Sequence, residues 1–579
     1  TATVPAAPPF AAGHWLILAD DEGVGSALAA TYFNSATKFT LVFEGHDNGQ
    51  SRRLVRDDEA AANALMDELG PLTGVISLWA LNQTDSARDM AAHRTARDWL
   101  AWAQRLDRLP ETPVFWAVTR DAVAVTPEDP VTGCPDASAL GLGRSIALER
   151  PNLWGGMVDL SSTLDTAGAA AVVAQAVASG VSDVSLVMRN GRLLAPTLTK
   201  LPVDAPAQGS IRADASYLIS GGLGSLGRAF ALWLVDQGAR SLWLLGRSGS
   251  NAGDSAAFVE RLTANGVEVQ VAAVDVCDAG AVRQQLAEWR ANSPPLRGVV
   301  HAAGVGEYAP FESIDWDHCH NVMAAKTQGT LALHHVTVDD PLDFFLGCSS
   351  IAAVWGGQQQ LAYSAANAWL NAFCAYRRAG GRPATALNLG PIKDSRMVRD
   401  EHTDTLRRLG LNLLDMDQVL AELPALITCD SAAVVVADGD WQRFGGLYGA
   451  RRATTLFDDL LAEHEQPHSE PRLGGQDFSR PVDLGSQTLS DWLTQRLGSA
   501  LDLPVDRIDR NTKLTDMGLD SLLAMELRAS IEVQFDVTVE LADLFDGLTI
   551  NDLADRLQRE PAAEPDSSAG DDDWVSGAI

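Results

Sequence analysis

The chain has 579 residues, 46% of them apolar and 21% charged, with a formal net charge of −32 at pH 7. That composition is globular rather than disordered, and its sign excludes a nucleic-acid binder, which needs a basic footprint to displace phosphate counterions. No run of about 18 uncharged apolar residues is present, so no membrane-spanning helix is expected.

Thr1 to Phe10 lack both an initiator methionine and the basic-then-apolar layout of a secretory leader, which reads as a fragment excised from a longer cytoplasmic chain. The first series of elements follows. Short apolar runs at 14–19, 38–43, 74–81, 113–119 and 184–188 alternate with Ala-rich helical stretches. Strands separated by helices predict βαβ units and a parallel sheet. A second series has strands at 217–220, 241–245, 267–274, 298–301, 343–347 and 384–389, with a helix at 227–237. The fold class is therefore α/β: two tandem Rossmann-like units joined by a Pro- and Ala-containing linker near 201–208. After Tyr448 the apolar patterning fades, and helical patterns at 489–501, 521–534, 541–545 and 550–557 predict a small helical bundle. Residues 481–579 carry net −14, −9 of it up to Glu560 and −5 in the Ser-, Gly- and Pro-containing tail. The predicted divisions are 1–205, 206–455, a linker at 456–482, a bundle at 483–560 and an acidic flexible tail at 561–579.

Six cysteines, at 134, 277, 319, 348, 374 and 429, include no Cys-x-x-Cys pair and fit free thiols in a reducing compartment. His318-Cys319-His320 lacks the second ligand pair that a tetrahedral metal site needs, so no metal is expected.

Ser220-Gly221-Gly222-Leu223-Gly224-Ser225-Leu226-Gly227 follows a predicted strand and opens a helix. Glycines there permit a tight turn and close approach to a pyrophosphate at the positive end of the helix. The next strand runs into Arg247-Ser248, where a dinucleotide enzyme that prefers the unphosphorylated ribose would place an acid; a cation favours NADPH. Asp275-Val276, after the third strand, is placed to meet the adenine edge, although an aspartate ending a strand also makes turns. In the first unit the equivalent turn reads Asp20-Asp21-Glu22-Gly23-Val24-Gly25. Three carboxylates where phosphates would lie repel a dinucleotide, so this unit reads as a decayed, structural copy.

Tyr363 and Asn367 are four apart and share one helix face. Ser350 precedes the tyrosine by 13 residues at a strand end, and Lys326 precedes the serine by 24 in a helical stretch. Reducing a ketone needs a proton donor for the developing alkoxide. A phenol suits that task once a cation lowers its pKa, and a neighbouring hydroxyl can hold the carbonyl oxygen.

With these residues in view, the chain resembles a ketoreductase plus acyl carrier protein segment of a modular type I polyketide synthase; its ketoreductase part resembles the short-chain dehydrogenase/reductase superfamily. Ala139-Leu140-Gly141-Leu142-Gly143-Arg144, Trp154-Gly155-Gly156-Met157-Val158-Asp159, His301-Ala302-Ala303-Gly304 and Asp438-Gly439-Asp440-Trp441 are similar to family landmarks. The resemblance implies a noncatalytic subdomain followed by a catalytic one, with Tyr363 as acid, Ser350 as hydrogen-bond donor, and Lys326 and Asn367 completing a tetrad. It places Ala302, Ala303 and Gly304 at the cofactor, and no enoylreductase is inserted between 201 and 210. Trp355, eight before the tyrosine, and Gln360, three before it, resemble the A-type, A1-like pattern that gives an L (S-type) alcohol; Gly306-Glu307-Tyr308 stands where B-type members carry Leu-Asp-Asp. Residues 388–394 depart from the family by lacking its tryptophan.

Asp516-Met517-Gly518-Leu519-Asp520-Ser521-Leu522 resembles the attachment motif for 4'-phosphopantetheine, making Ser521 the modified residue. A serine opening a helix after a glycine turn is exposed where the dipole favours a new phosphodiester. The implied partners are a carrier-bound β-ketoacyl substrate, the ketosynthase and acyltransferase of the same synthase, and a phosphopantetheinyl transferase. Two other readings stay open: a reductively silent or epimerase-like scaffold, and a non-enzymatic carrier module whose acidic tail, around Asp571-Asp572-Asp573-Trp574-Val575, docks a partner.

Overall fold

The computed structural model describes residues 10–462 apart from 33–35, 47–48, 50, 57, 83–92, 127–128, 130, 179–184, 203–210, 250–253, 394, 396–402, 404–405 and 452–453, and then 489–501, 508–514, 517, 527, 531, 544 and 548–559. Strands that are apolar on both faces must be covered twice, and helical crossovers make their pairing parallel. In the first half, β1 (Gly13–Ala19), β2 (Thr37–Glu44), β3 (Arg53–Leu54), β4 (Gly74–Ser77), β5 (Val114–Arg120), β6 (Trp154–Leu160), β7 (Ser185–Arg189) and β8 (Arg192–Leu194) form one sheet in the order β3-β2-β1-β4-β5-β6-β7-β8. All pairs are parallel except the β7–β8 hairpin. Its two-residue turn, Asn190-Gly191, has both φ angles positive (50° and 76°), matching the twist of the flanking strands.

The second half repeats the architecture. β9 (Ser216–Ser220), β10 (Ser241–Gly246), β11 (Glu268–Ala273), β12 (Leu296–His301), β13 (Phe344–Ser350), β14 (Thr385–Leu389) and β15 (Ala433–Val436) make an all-parallel sheet in the order β11-β10-β9-β12-β13-β14-β15. The strand order reverses between β9 and β12, opening a crevice at their carboxyl ends where ligands bind in folds of this kind. The two tandem parallel-sheet units agree with the predicted fold class.

Several details differ from the sequence reading. The run at 74–81 is a strand only to Ser77; Trp79–Leu81 is a 3-10 turn that buries its tryptophan. β3 and β8 are too short to show a period, and Gly155 and Gly156 interrupt the apolar run of β6. The linker expected from 456 begins with ordered chain: Leu198 N–H donates to the Leu456 carbonyl at 2.8 Å, Phe457 is buried, and Asp458–Ala462 is a helix. Leu456 N–H also donates to the Thr454 hydroxyl oxygen at 3.2 Å, a local turn that the polar composition downstream disguises.

The turn after β1 explains why the first half is not a second dinucleotide site. The buried Asp20 carboxylate accepts from the amides of Val24 (2.9 Å) and Gly25 (2.7 Å), at the start of the helix Val24–Tyr32. An internal anion thus occupies the helix N-terminus that a phosphate would use. Asp21 and Glu22 turn outward to Arg53 (3.0 Å) and Arg120 (2.5 Å).

The halves pack through two helices, Ala137–Glu149 of the first and Leu361–Ala379 of the second. Their approach is close because Gly141 lies against the backbone of Ser364: a Cβ there would fall 2.2 Å from the Ser364 carbonyl oxygen. Ser145 Oγ donates to Ser364 Oγ at 2.8 Å and accepts from Gly357 N–H at 3.1 Å.

The C-terminal unit is separate. Its helices Leu489–Leu501 and Ile550–Arg559 bury Trp492, Leu493, Leu497, Ile550, Leu553 and Leu557, with Ile508 and Leu514 from the chain between them. Asp552 caps the second helix by accepting from Thr549 N–H at 3.0 Å. Ser521, the helix predicted at 521–534 and the tail 561–579 lie outside the described residues, apart from Leu527 and Ile531, which are buried. Among the described residues no helix is long and apolar enough to cross a membrane.

Candidate active site

The site residues read from the second half converge on the carboxyl edge of its sheet. The glycine loop leaves β9, residues 301–304 leave β12, and Ser350 ends β13, so all three meet at the crevice between β9 and β12. Gly221 has φ +69°, and a Cβ on it would lie 2.8 Å from the Ala303 amide nitrogen; the 302–303 backbone and the loop touch without room for a side chain. Gly227 is tighter still, 2.2 Å from the Gly221 carbonyl oxygen. Gly224 N–H closes the turn on that carbonyl at 2.9 Å, and the helix Ser225–Asp236 starts there. Such a cradle fits a dinucleotide pyrophosphate: bare backbone, a helix N-terminus and no carboxylate equivalent to Asp20.

Arg247 and Ser248 are exposed just past β10, on the side where a ribose phosphate would lie. Asp275 is exposed, but its carboxylate accepts from Cys277 N–H at 2.9 Å and so makes the turn that a strand-ending aspartate often makes. Val276 is buried, with its methyls against Gly329.

His301 is neutral. Burial, and then the Lys326 charge, push its pKa down to about 3. Nε2 faces the Ala325 carbonyl at 3.0 Å and must carry the proton, leaving Nδ1 to accept from Ser220 Oγ at 2.5 Å. The histidine therefore ties β9 to β12 and the lysine helix, Trp316–Thr337, a structural task that its place in a landmark motif did not reveal.

Tyr363 sits in the first turn of Leu361–Ala379, half-buried, and its phenol bonds the side chains of Ser350 and Asn367. Nδ2 of Asn367 also donates to the Tyr363 carbonyl at 2.8 Å, the i to i+4 neighbour expected on a helix face. Its Oδ1 is buried with no hydrogen-bond partner among the described residues. The sequence reading expected a cation to lower the phenol. Burial instead pushes Tyr363 up to about 12; the bonds from Ser350 and Asn367 oppose it, and the nearby Tyr308 and Cys348 reinforce it. Lys326 Nζ donates to the Cys348 carbonyl on the strand leading to Ser350, and burial lowers its pKa.

Trp355 does not face open solvent. It is 4% exposed, edge-on to Trp441 (6.4 Å between centroids) and tilted against Phe457 (5.8 Å), which stacks on Trp441. It anchors the loop before the tyrosine helix. Gln360 is that helix's N-cap residue, with its side chain folded over Gly357. His318, Cys319 and His320 diverge: His318 pairs with Glu307 at 3.6 Å, Cys319 is buried, and His320 meets Gln328 at 3.2 Å.

Sequence reasoning missed the grip of the first half on this site. Glu149 accepts from the amide of Gln359 at 2.8 Å and from that of Phe311. Arg144 donates to the Ala353 carbonyl, and Gln104 Nε2 donates to the carbonyls of Phe311 (2.7 Å) and Ile314 (2.8 Å). No local pattern marks these residues, since their partners lie 162 to 210 positions away.

Comparison with known proteins agrees with this arrangement. Residues 215–394 match the KR domain family, 24–198 the Rossmann fold domain of the polyketide synthase extender module SpnB, and 491–557 the phosphopantetheine attachment site, a stretch that includes Ser521. Polyketide synthase GfsA of Streptomyces halstedii is 31% identical over 96% of this chain, and the pikromycin synthase component PikAIII of Streptomyces venezuelae is 32% identical over 79%. The chain spans only 8% and 30% of those proteins' lengths. Among solved structures, an A1-type ketoreductase superposes with a TM-score of 0.66 at 29% identity, covering 79% of this chain and 95% of that one. A C2-type ketoreductase gives 0.68 at 27%, covering 78% and 98%, so the fold alone does not sort the types. The two sheets, the matched domains on them and the attachment site beyond them make this chain a ketoreductase and carrier segment of the modular polyketide synthase family.

Proposed function

We propose that the chain reduces a β-ketoacyl thioester, carried on 4'-phosphopantetheine at Ser521, to a β-hydroxyacyl thioester. The observation that carries this reading is the Tyr363 phenol, bonded by Ser350 and Asn367 at the crevice whose floor is the glycine loop. When bound, NADPH supplies the hydride for the β-carbon. Tyr363 gives its proton to the developing alkoxide oxygen, Ser350 holds that oxygen in place, and Asn367 fixes the tyrosine through its own backbone and hydroxyl. Lys326 holds the Cys348 carbonyl, two residues before Ser350, and so steadies the strand end that presents the serine. Burial of the phenol suits a reducing enzyme, because it keeps the proton on the acid until the alkoxide forms. The test is direct: the chain, loaded with a diketide β-ketoacyl thioester, should consume NADPH and yield a β-hydroxy product, and an inert mixture would sink the proposal.

Three finer readings belong to it. Arg247 supports a preference for NADPH. In Arg247→Asp, loss of a charge-assisted bond worth about 1.5–3 kcal/mol should cut kcat/KM with NADPH about ten- to hundred-fold while sparing NADH. Trp355, Gln360 and the Gly306-Glu307-Tyr308 stretch support an L-type alcohol of the A1 kind; chiral chromatography giving mainly the D product would overturn this. Ser521 as attachment residue implies service by a phosphopantetheinyl transferase. Intact mass of Ser521→Ala after incubation with such an enzyme and coenzyme A should stay at the unmodified value, whereas the unaltered chain gains one arm.

A further inference from the structure

Two loops of the second half flank Tyr363: 302–311, which follows β12 and carries Tyr308, and 356–360, which precedes the tyrosine helix and ends on Gln360. They touch each other once in the backbone, where Ala309 N–H donates to the Gln359 carbonyl at 2.9 Å. Gln359 itself is held in the left-handed region, φ +56°, which a non-glycine residue adopts only when its surroundings over-determine it. The amide of this strained residue points at Glu149, 2.8 Å away, and the same carboxylate takes the amide of Phe311 from the other loop. Glu149 ends the helix Ala137–Glu149, whose Gly141 and Ser145 are packed on the tyrosine helix, so its position is fixed relative to Tyr363. Other contacts from the first half fall on one loop or just beside it: Gln104 on Phe311 and Ile314, Arg150 on Glu312, Arg144 on Ala353. Glu149 bonds both loops.

We infer that Glu149, contributed by the noncatalytic half, is a positioning residue that sets the configuration of the alcohol by holding these two loops at one separation across the tyrosine. A ketone presents either face to hydride according to how its two arms are seated. Walls that move relative to each other admit both seatings. A carboxylate bonded to two amides resists that motion more strongly than neutral bonds do, since charge-assisted hydrogen bonds are about twice as strong. The inference rests on the reductase reading and deepens it.

The experiment compares Glu149→Ala and Glu149→Gln with the unaltered chain, using a diketide thioester and NADPH, chiral analysis of the product, and amide hydrogen exchange. In Glu149→Ala the ratio of minor to major alcohol should rise about ten-fold, and exchange at Gln359 and Phe311 should speed up about ten-fold. Glu149→Gln, which keeps one acceptor oxygen, should fall between. Gln104→Ala, which frees one loop only, should leave the ratio unchanged. A folded Glu149→Ala with the original ratio overturns the inference, as does an equal disturbance by Gln104→Ala. If Glu149→Ala does not fold, Glu149→Gln is judged by the same criterion. Failure of the reductase reading shows in the unaltered chain, which would then oxidise no NADPH, and exchange at the two amides decides the clamp alone.

Discussion

Replacing Tyr363 by phenylalanine should lower kcat for β-ketoacyl reduction by about a thousand-fold, within the range that positioned general acids supply. The substitution removes one oxygen from a half-buried ring and leaves the ring's packing intact. KM for NADPH should stay where it is, because the glycine loop and Arg247 are untouched. The donors on Ser350 and Asn367 lose their acceptor, a cost of about 1–3 kcal/mol that lowers stability without unfolding the domain. Retention of more than a tenth of the rate would remove Tyr363 from the role of acid. The unaltered enzyme carries a companion expectation. Its phenol, pushed up to about 12 by burial, holds its proton more tightly folded than unfolded. The contribution to stability is complete below the unfolded value near 10 and is lost only as pH rises through the folded one. Reduction should accordingly show no alkaline limb from this group between about pH 6 and 9.

Gly141→Ala should be among the most damaging single methyls in the molecule's first half, and it falls on the contact with the tyrosine helix. The new Cβ would stand 2.2 Å from the Ser364 carbonyl oxygen, 2.6 Å from its carbon and 2.7 Å from the Ala368 side chain. The two nearest of these atoms are helix backbone, so relief requires the two helices to part. Overpacking of this kind costs about 3 kcal/mol or more, or about 6 °C and upward in Tm for a unit of this size. Separation also carries Tyr363 away from Ser350, since Ser364 adjoins the tyrosine, so kcat should fall with stability. Gly280→Ala provides the opposite sign: that glycine is exposed in a helix with only the Asp278 carboxylate at 3.3 Å, and gaining a side chain there should be neutral or stabilising by up to about 1 kcal/mol. Thermal scans of the two variants check both. Equal melting temperatures would mean that the halves do not depend on the contact at Gly141.

What was legible in the sequence was what repeats locally. Buried parallel strands announce themselves as apolar runs, and the four-residue step from Tyr363 to Asn367 puts both on one helix face whatever lies around them. Short or interrupted strands such as β3, β8 and β6 carry no such period. The contacts of Trp355 were illegible for another reason: Trp441 and Phe457 join it from 86 and 102 positions away, and tertiary packing writes no mark in the residues between. Segment 456–462 buries Leu456, Phe457 and Leu460, but its helix has only five residues, too short to stand out from the polar chain that follows. The direction of the Tyr363 shift was misjudged because a sequence names charged neighbours but not how much water has been removed.

The carboxylate of Asp20 has a consequence for how the molecule behaves under changing metabolite supply. A domain whose helix N-terminus waits for a phosphate gains stability by mass action, about 2.7 kcal/mol at a ligand concentration one hundred times Kd, and surrenders it when the pool is depleted. The first half has sealed that terminus covalently, with an anion that never dissociates. That filling needs no ligand from solution. The second half, whose helix N-terminus is left bare for a ligand, packs against a half in which that terminus is permanently filled.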